Sequence, residues 1–304
     1  MTPARSVRDS LLVARFELLR NLRTWRALAL CGLYLIAVCG GTWIFTRLLL
    51  TAENAVASTL GVPATETPGA LIDKVMELDT TRALLVQMLG NPEWMEDVVK
   101  WPVLAIFHLW LAGGIIPFLA ASVAGECVAV DAHNRSLRYE LLRTGRLEVV
   151  SGRFIGQAIL MFAAALLSVV GTYAVGMYGT VGQDPARVLG HLLMVTPRVW
   201  FMTLPFLGIG VTCSLVGESP NISRVAAMTI TLISFALAAI GAQLVKIGHW
   251  SAPAWDVINT LLPQTWIDRL WEPGLGWLQA GVILTVLGFA GMCVALPWFM
   301  RRDL

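Results

Sequence analysis

The sequence predicts an all-α membrane protein whose chain crosses the bilayer six times. Six stretches of eighteen or more residues contain no Asp, Glu, Lys or Arg. A hydrocarbon core of about 30 Å is crossed by roughly 20 residues at about 1.5 Å each, so every stretch can span it. The composition agrees, because 57% of the residues are hydrophobic and only 14% are charged. A backbone in lipid must satisfy its own hydrogen bonds, and runs this long without two-residue alternation are helices.

The predicted spans lie near residues 27–46, 101–124, 154–180, 199–216, 225–245 and 277–300. Together they form one transmembrane domain, 27–304, preceded by the basic segment 1–26. No small-residue cleavage site follows the first apolar run, so we expect that run to remain as a span.

The basic residues predict the orientation of the chain. With a cytoplasmic N-terminus, the inner segments contain 14 Lys and Arg against 8 acidic residues, whereas the outer segments contain 8 against 12. Cytoplasmic loops carry the excess of Lys and Arg, so we expect both termini in the cytoplasm. Of the 22 basic residues 19 are arginine, which is typical of a GC-rich bacterial genome. A bacterial plasma or inner membrane is therefore the expected location.

The segment 1–26 has the pattern of an amphipathic helix that lies in the headgroup layer. Its apolar residues recur at steps of three and four and its arginines fill the remaining positions. An arginine near anionic lipid contributes about 1 kcal/mol to such binding. The alternative is a basic tail beside the first span. The apolar positions include Leu11, Leu18, Leu22 and Trp25, and the arginines are Arg8, Arg15, Arg20, Arg23 and Arg26.

The predicted outer loop, 47–100, contains eight acidic residues. Helix-like stretches at 70–78 and 81–88, with a break at 90–92, make it too ordered for a linker. Two interpretations fit: a small helical cap that meets an extracytoplasmic partner or substrate, and a loop that covers the mouth of the bundle.

The predicted inner loop, 125–153, is charged yet patterned. Leu137, Leu141 and Leu142 are expected on one helical face, with charged residues on either side. A short helix of this kind suits docking into a groove of a partner protein. The alternative is that the leucines cap the bundle. The flanking charges are Arg135, Arg138, Glu140 and Arg143.

The outer segment 248–276 is rich in tryptophan and proline. It is too short and too broken to cross the membrane, which favours re-entrant half-helices. Tryptophan is also common at the membrane interface, and an interfacial belt explains the same residues. The residues concerned are Trp250, Pro253, Trp255, Pro263, Trp266, Trp271, Pro273 and the neighbouring Trp277.

The chain lacks the motifs of common chemistries, including CxxC, HExxH, GxxxxGK[ST] and GxSxG. We therefore expect no catalytic residue, metal, cofactor or nucleic-acid partner. The spans contain no acidic proton relay, which argues against a secondary transporter. His108 in the second span is expected to be a packing residue, and Gly208 and Gly210 in the fourth favour close helix packing.

Several features occur together in one known arrangement. They are the basic amphipathic helix, the pair Gly125-Glu126 before the sequence SLRYELL, the pair Gly152-Arg153 at the next span, and the ending 299–304. In these features the chain resembles the membrane subunits of type-2 ATP-binding-cassette exporters. It departs from that family at Arg135-Ser136, where Gly-Thr is usual, and at Thr144-Gly145, where a small residue and proline are usual.

The resemblance implies a permease that pairs with a separate ATPase, so that ATP is bound by the partner and not by this chain. Two permeases, identical or related, and two ATPases would form one exporter in the lipid bilayer. The loop 125–153 would act as the coupling element, and the segment 248–276 would form an outer gate. The alternatives are a membrane scaffold that recruits an ATPase or an extracytoplasmic partner, and, less favoured, a secondary transporter. The coupling residues implied are Glu126, Leu137, Arg138, Glu140, Leu141, Leu142 and Arg143, and the gate residues are Pro263, Trp266 and Trp271.

Overall fold

A computed structural model describes residues 3–60, 100–180, 183–272 and 274–301, together with Ala83 and Val98. Within these ranges every regular element is a helix and no strand is formed. The helices are α1 (Pro3–Arg23), α2 (Trp25–Leu60), α3 (Val103–Ala124), α4 (Ala129–His133), α5 (Leu137–Leu141), α6 (Arg146–Gly179), α7 (Pro185–Val216), α8 (Pro220–Lys246), α9 (Ala252–Leu261), α10 (Pro263–Asp268) and α11 (Gly276–Arg301), with a 3-10 turn at Arg269–Trp271.

Six of these helices, α2, α3, α6, α7, α8 and α11, are long and apolar enough to cross a membrane. Each covers one of the predicted spans to within two residues, so the prediction of an all-α chain with six membrane-length helices is confirmed. Successive long helices run in alternate directions. One end of the bundle, which we call the α1 end, therefore contains α1, the short helices α4 and α5 and the last residues of α11. The helices α9 and α10 lie at the opposite, far end.

The helices extend beyond the predicted limits, and several segments predicted as loop are helical. Residues 47–60 continue α2, residues 146–153 open α6, and residues 185–198 open α7. The predicted limits were set at the first charged residue. A charged side chain does not end a helix, because a long side chain can reach water while the backbone continues until a Gly or Pro. The helix-like stretches predicted at 70–78 and 81–88 lie outside the described residues, apart from Ala83.

The N-terminal segment is helical, but the helix has other limits than predicted. A helix, α1, occupies most of segment 1–26, but it ends at Arg23, and Trp25 already belongs to α2. Thr24 lies between the two helices. Trp25 is therefore the first residue of a membrane-length helix and not the last turn of the amphipathic one.

The helices α3 and α7 form the centre of the bundle. α7 packs against α3, α6, α8 and α11, and its residues from Met202 to Leu207 are all buried. By contrast α2, α8 and α11 each bury only one side. Their outer sides carry large apolar residues such as Ile36, Leu232 and Val286. Such surfaces suit contact with lipid chains. Lipid is itself apolar, so burying these side chains in the protein instead would gain no hydrophobic free energy.

Glycines permit a close helix crossing between α7 and α11. A Cβ atom added to Gly208 would lie 2.7 Å from the Cα of Gly288, and one added to Gly288 would lie 2.5 Å from the carbonyl oxygen of Leu204. Real Cβ atoms do not approach other atoms so closely. The close-packing interpretation of Gly208 therefore agrees with the structure, because only glycine permits this contact of the two backbones.

We expect Gly208→Ala to destabilise the protein, because the added methyl group meets the backbone of α11. Overpacking of this kind costs about 1–3 kcal/mol. Gly114→Ala on α3 is the control, since a Cβ there meets nothing within 4 Å. It should be neutral or stabilising by up to about 1 kcal/mol. Thermal unfolding of the two purified variants in detergent measures the difference, and equal midpoints would contradict the crossing.

Candidate functional site

The candidate site lies at the α1 end, where a buried charge joins several elements. Arg153, on the first turns of α6, is only 1% exposed. Its Nη1 lies 2.6 Å from Asp131 Oδ2, and its Nη2 donates to Glu140 Oε2 at 2.5 Å. Nη1 also donates to the carbonyl oxygen of Cys127. One guanidinium group thus connects α6 with both short helices of the loop, α4 and α5.

A second arginine extends these contacts to α1. Arg20 donates through Nη2 to Glu17 Oε1 at 2.8 Å and to the carbonyl oxygen of Cys127 at 3.0 Å. Its Nη1 donates to Asp131, which therefore bridges Arg20 and Arg153. We call the five side chains the arginine cluster: Glu17, Arg20, Asp131, Glu140 and Arg153.

The arginine cluster is stabilised by the mutual compensation of its charges. A buried ion costs several kcal/mol of desolvation, which only well-placed opposite charges and hydrogen bonds offset. The cluster contains three carboxylates and two guanidinium groups. Burial raises the pKa of Glu17 above its ordinary value of 4.5, and the nearby charges of Arg20 and Arg153 offset this only in part.

The helix α1 turns a polar side toward the bundle. Ser6 Oγ donates to Glu148 Oε1 at 2.8 Å, and the Ser10 and Ser151 hydroxyls lie 3.0 Å apart. Gly152 permits this approach, because a Cβ there would lie 2.5 Å from the Ser10 carbonyl oxygen. Arg20 belongs to this polar side, and the sequence pattern could not distinguish it from the other arginines of α1.

The apolar residues of α1 are left largely outside the bundle. Leu11 and Leu22 are exposed, as are Arg15 and the first residue of α2, Trp25, while Leu18 packs in part against the core. A helix that buries polar groups and exposes leucines has the opposite arrangement to a surface helix of a soluble protein.

The three loop leucines do not share an exposed face. Leu137 is 1% exposed and belongs to the core, and Leu141 packs against the core in part. Leu142, in contrast, is 82% exposed, next to the 74% exposed Tyr139. The prediction of one docking face is therefore wrong for Leu137. The α5 turn is only five residues long, and its first leucine serves to anchor it.

The other predicted coupling residues lie around this pair. Arg138 and Arg143 are exposed. Glu140 is turned inward and holds Arg153. Glu126, just beyond the end of α3, forms an ion pair with Arg224 near the start of α8.

A groove of about 610 Å³ separates the loop from α1. Leu12 and Phe16 of α1 form one wall, and Tyr139, Leu142 and Arg143 form the other. The floor contains Glu17, Arg20, Glu140 and Arg153 of the arginine cluster. This groove has apolar walls over a charged floor.

The loop is also fixed to the bundle through α7. The Ser214 hydroxyl accepts hydrogen bonds from the backbone N–H groups of Val128 and Ala129, each at 2.8 Å. These are donors at the start of α4 that have no partner within the helix. The loop is therefore attached to α6, α7 and α1, and we expect it to move with them as one body.

The far end contains a second buried arginine that the sequence placed in a loop. Arg198 lies inside α7 and is 1% exposed. Its guanidinium carbon is 4.7 Å from the ring centroid of Trp101 and 5.3 Å from that of Trp277. Its Nη1 donates to the carbonyl oxygen of Leu270 at 2.9 Å. In the described part of the chain no carboxylate forms an ion pair with Arg198, so aromatic faces compensate the charge.

The predicted gate residues belong to this far end. Pro263 is the first residue of α10, Trp266 is half-buried on the same helix, and Trp271 ends the 3-10 turn with 4% exposure. Within the segment 248–276 the structure has the short helices α9 and α10 and the 3-10 turn. The bond from Arg198 to Leu270 holds the 3-10 turn against α7.

His108 is a satisfied packing residue, as expected. It is buried, and its Nδ1 lies 2.8 Å from Thr172 Oγ1. Within the described residues no three His, Cys, Asp or Glu side chains come together to hold a metal ion. The polar groups of highest interest are therefore those of the arginine cluster, which sequence reasoning missed. The one available signal was the acidic Glu17 three residues before Arg20 on an otherwise basic helix.

A comparison of the chain with known protein families and with curated proteins found no match.

We expect Arg153→Met to destabilise the protein strongly, because Glu140 then loses its ion pair with Arg153 and Asp131 keeps only the one with Arg20. Breaking a buried ion pair from one side costs about 3–5 kcal/mol. Arg138→Met is the matched control, since Arg138 is exposed on the same loop and should change stability by no more than about 0.5 kcal/mol. Thermal unfolding followed by tryptophan fluorescence compares them. Similar losses in both variants would show that the cluster contributes little.

We expect Glu17→Gln to gain stability relative to the wild type as the pH rises. A carboxyl group whose pKa is raised by folding favours its protonated form in the folded state. The contribution of Glu17 to the stability of the wild type is therefore greatest at or below pH 4.5, its ordinary pKa, and declines as the pH rises through the folded value. Unfolding midpoints measured between about pH 4.5 and pH 7.5 test this. A difference that does not change with pH, or that runs the other way, would contradict the direction.

Proposed function

We propose that the chain is the membrane subunit of an ATP-driven exporter and that the loop between α3 and α6 couples it to a separate ATPase. The observation that carries the proposal is the exposed pair Tyr139 and Leu142 on a loop that the arginine cluster fixes to the bundle. Large apolar side chains on the spans are explained by lipid. Those of α5 lie beyond the spans and need another partner.

The fixation of the loop supports this coupling role. An element that transmits force must not bend where it joins the parts it moves. The α5 residue Glu140 is bound to Arg153 of α6, and Asp131 of α4 is bound to Arg20 of α1. A push on Tyr139 or Leu142 would therefore reach α6 and α1 together, without any change in the loop itself.

The groove beside α5 supports a protein partner with both apolar and acidic groups. Its walls offer Leu12, Phe16, Tyr139 and Leu142, the kind of apolar and aromatic residues that dominate binding energy at interfaces. Arg138 and Arg143 flank the exposed pair and suit acidic groups at the rim of the contact. The ATP-binding residues would all lie on the partner.

The remaining parts of the proposal follow from the same assignment. A cytoplasmic α1 end places the loop where ATP is available, and the exposed leucines of α1 then rest in the inner headgroup layer of a bacterial membrane. The far-end turn that Arg198 holds would act as the outer gate, with Pro263, Trp266 and Trp271. A second permease copy would complete the pathway, and an extracytoplasmic partner would bind through the segment 47–100.

Site-specific photo-crosslinking tests the proposal. A photoreactive residue replaces Leu142 on α5, and in a second variant it replaces Leu275 at the far end, which is similarly exposed at 76%. After illumination in native membranes, the purified chain is assayed for crosslinked protein and for ATP hydrolysis. We expect an ATP-hydrolysing subunit to crosslink at Leu142 and not at Leu275.

A charge substitution supplies the matching functional measurement. Leu142→Asp should reduce recovery of the ATPase with the purified chain by about tenfold, as expected when a buried apolar contact of ~1.4 kcal/mol is lost. Leu275→Asp should leave recovery unchanged. If no ATP-hydrolysing protein crosslinks at Leu142, the exporter assignment is wrong. If an ATPase crosslinks but its activity is independent of the permease, the scaffold alternative is the better one.

A further inference from the structure

The short helix α9 runs back along α8, from the far end toward the middle of the bundle. Gln264, three residues after α9, donates through Nε2 to Ser234 Oγ at 2.9 Å. Ser234 lies in the middle of α8, twelve residues before the end of that helix at Lys246. At about 1.5 Å per residue it is about 18 Å from that end. The ten residues of α9 extend over about 15 Å, which matches this distance.

A contact near the middle of α9 supports the same antiparallel arrangement. A Cβ atom added to Gly241 of α8 would lie 2.9 Å from Trp255 Cε3 and 2.6 Å from Asn259 Oδ1. Gly241 is five residues before the end of α8, and Trp255 is three residues after the start of α9. α9 therefore packs beside the second half of α8. Residues 235–245 of that half include no charged residue, as expected within a membrane.

The turn between α9 and α10 satisfies two carbonyl groups at the end of α9. The carbonyl oxygen of Asn259 accepts from Thr265 Oγ1 at 2.7 Å and from the N–H of Leu262 at 3.1 Å. The carbonyl oxygen of Thr260 accepts from Trp266 Nε1 at 2.8 Å. The last carbonyl groups of a helix otherwise need water or another donor. Non-helical backbone at membrane depth is tolerated only inside protein or beside water, and these bonds suit such a place.

α9 presents a different kind of side chain in each direction. One row faces α8, a second row is exposed and polar, and a third row is exposed and apolar. Helical residues four apart lie on the same side, so each row contains a pair with this spacing. The pairs are Trp255 and Asn259 in the row that faces α8, Asp256 and Thr260 in the polar row, and Val257 and Leu261 in the apolar row.

The two exposed rows require different surroundings. Val257 and Leu261 are 64% and 67% exposed, and lipid chains suit them as they suit the outer side of α8. Asp256 carries a charge, and a charged group that faces hydrocarbon is costly. Acidic side chains in membrane segments therefore face the interior of a bundle or a water-filled cavity. Thr260 lies one turn further from the start of α9 than Asp256, so the polar row continues inward.

We propose that the polar row of α9 lines an aqueous vestibule that opens at the far end and reaches the turn between α9 and α10. Its position on the outer side of the membrane rests on the proposed function, in which Pro263 and Trp266 form the gate at its inner end. The second permease copy of that proposal supplies the opposite wall, because in a single chain the polar row would face lipid.

The charges of this wall indicate the kind of solute that can enter. Asp256 is one of them. Arg269 is the other, since it is exposed and its guanidinium carbon lies 4.7 Å from the ring centroid of Trp266. A wall with one charge of each sign suits a polar or zwitterionic group and not a purely apolar molecule.

Cysteine accessibility in native membranes tests the vestibule. Thr260→Cys in the polar row is compared with Leu261→Cys in the apolar row, and the wild type gives the background of the five native cysteines. Membrane-impermeant methanethiosulfonate reagents, one cationic and one anionic, are applied to intact cells and to inverted membrane vesicles. We expect Thr260→Cys to react in intact cells at least about tenfold faster than Leu261→Cys, because a thiol in apolar surroundings does not ionise and only the thiolate reacts.

The other outcomes of this experiment are distinct. Equal reaction at the two positions would show that the whole of α9 lies in water. No reaction of Thr260→Cys above background would show that the polar row faces lipid or protein. Either result overturns the vestibule. Reaction in inverted vesicles alone would support the vestibule and reverse the orientation of the chain. The experiment involves no ATPase, so it can fail while the exporter proposal stands.

Asp256→Asn tests the charge of the wall. The side chain of Asp256 lies one helical turn from position 260, about 5–6 Å away, where it attracts the cationic reagent and repels the anionic one. In Thr260→Cys we expect this second substitution to lower the ratio of cationic to anionic reaction rates by about three- to tenfold. Glu218→Gln, at an exposed acid of the α1 end, is the control and should leave the ratio unchanged. An unchanged ratio with Asp256→Asn would show that Asp256 does not share a wall with Thr260.

Discussion

Arg153 is a full charge that is almost sealed from solvent, and the arrangement of the α1 end depends on how that charge is compensated. Burial of an unpaired guanidinium would cost more than any single contact in the bundle returns. Its partners come from α4 and α5, and Asp131 in turn draws in Arg20 from α1. The same requirement therefore fixes the loop, the N-terminal helix and the first turns of α6 in one arrangement.

The sequence was sufficient for the helices and insufficient for their ends. Long apolar runs require helices in lipid, because the backbone there has no water to bond with. Helix ends depend instead on local breakers and caps. Asp184, for example, caps the start of α7, because its side chain accepts a hydrogen bond from the N–H of Ala186. The predicted loop ended fourteen residues after Asp184, at Arg198. A pattern of hydrophobicity carries no information about such caps.

The candidate site was harder to predict because its contacts join distant parts of the chain. Glu17 and Gln157 are 140 residues apart, and Arg20 and Asp131 are 111 apart. A helical repeat indicates which residues share a face, but it does not indicate which face meets the bundle. For α1 the polar side packs inward, since α6 offers Ser151 and Gly152 at the matching positions. By contrast, Leu142 is exposed, in agreement with its position next to the charged Arg143 in the sequence.

Arg20 lines both the groove beside α5 and a cavity at the junction of α1 and α2. Thermodynamic linkage follows from this shared wall: an occupant that draws the guanidinium toward one space removes it from the other, and the two affinities then change by the same factor. Binding in one space strengthens binding in the other if both occupants require the same position of the Arg20 side chain, and weakens it if they require different positions. Occupancy of one space would thereby change the affinity of the other through a single residue.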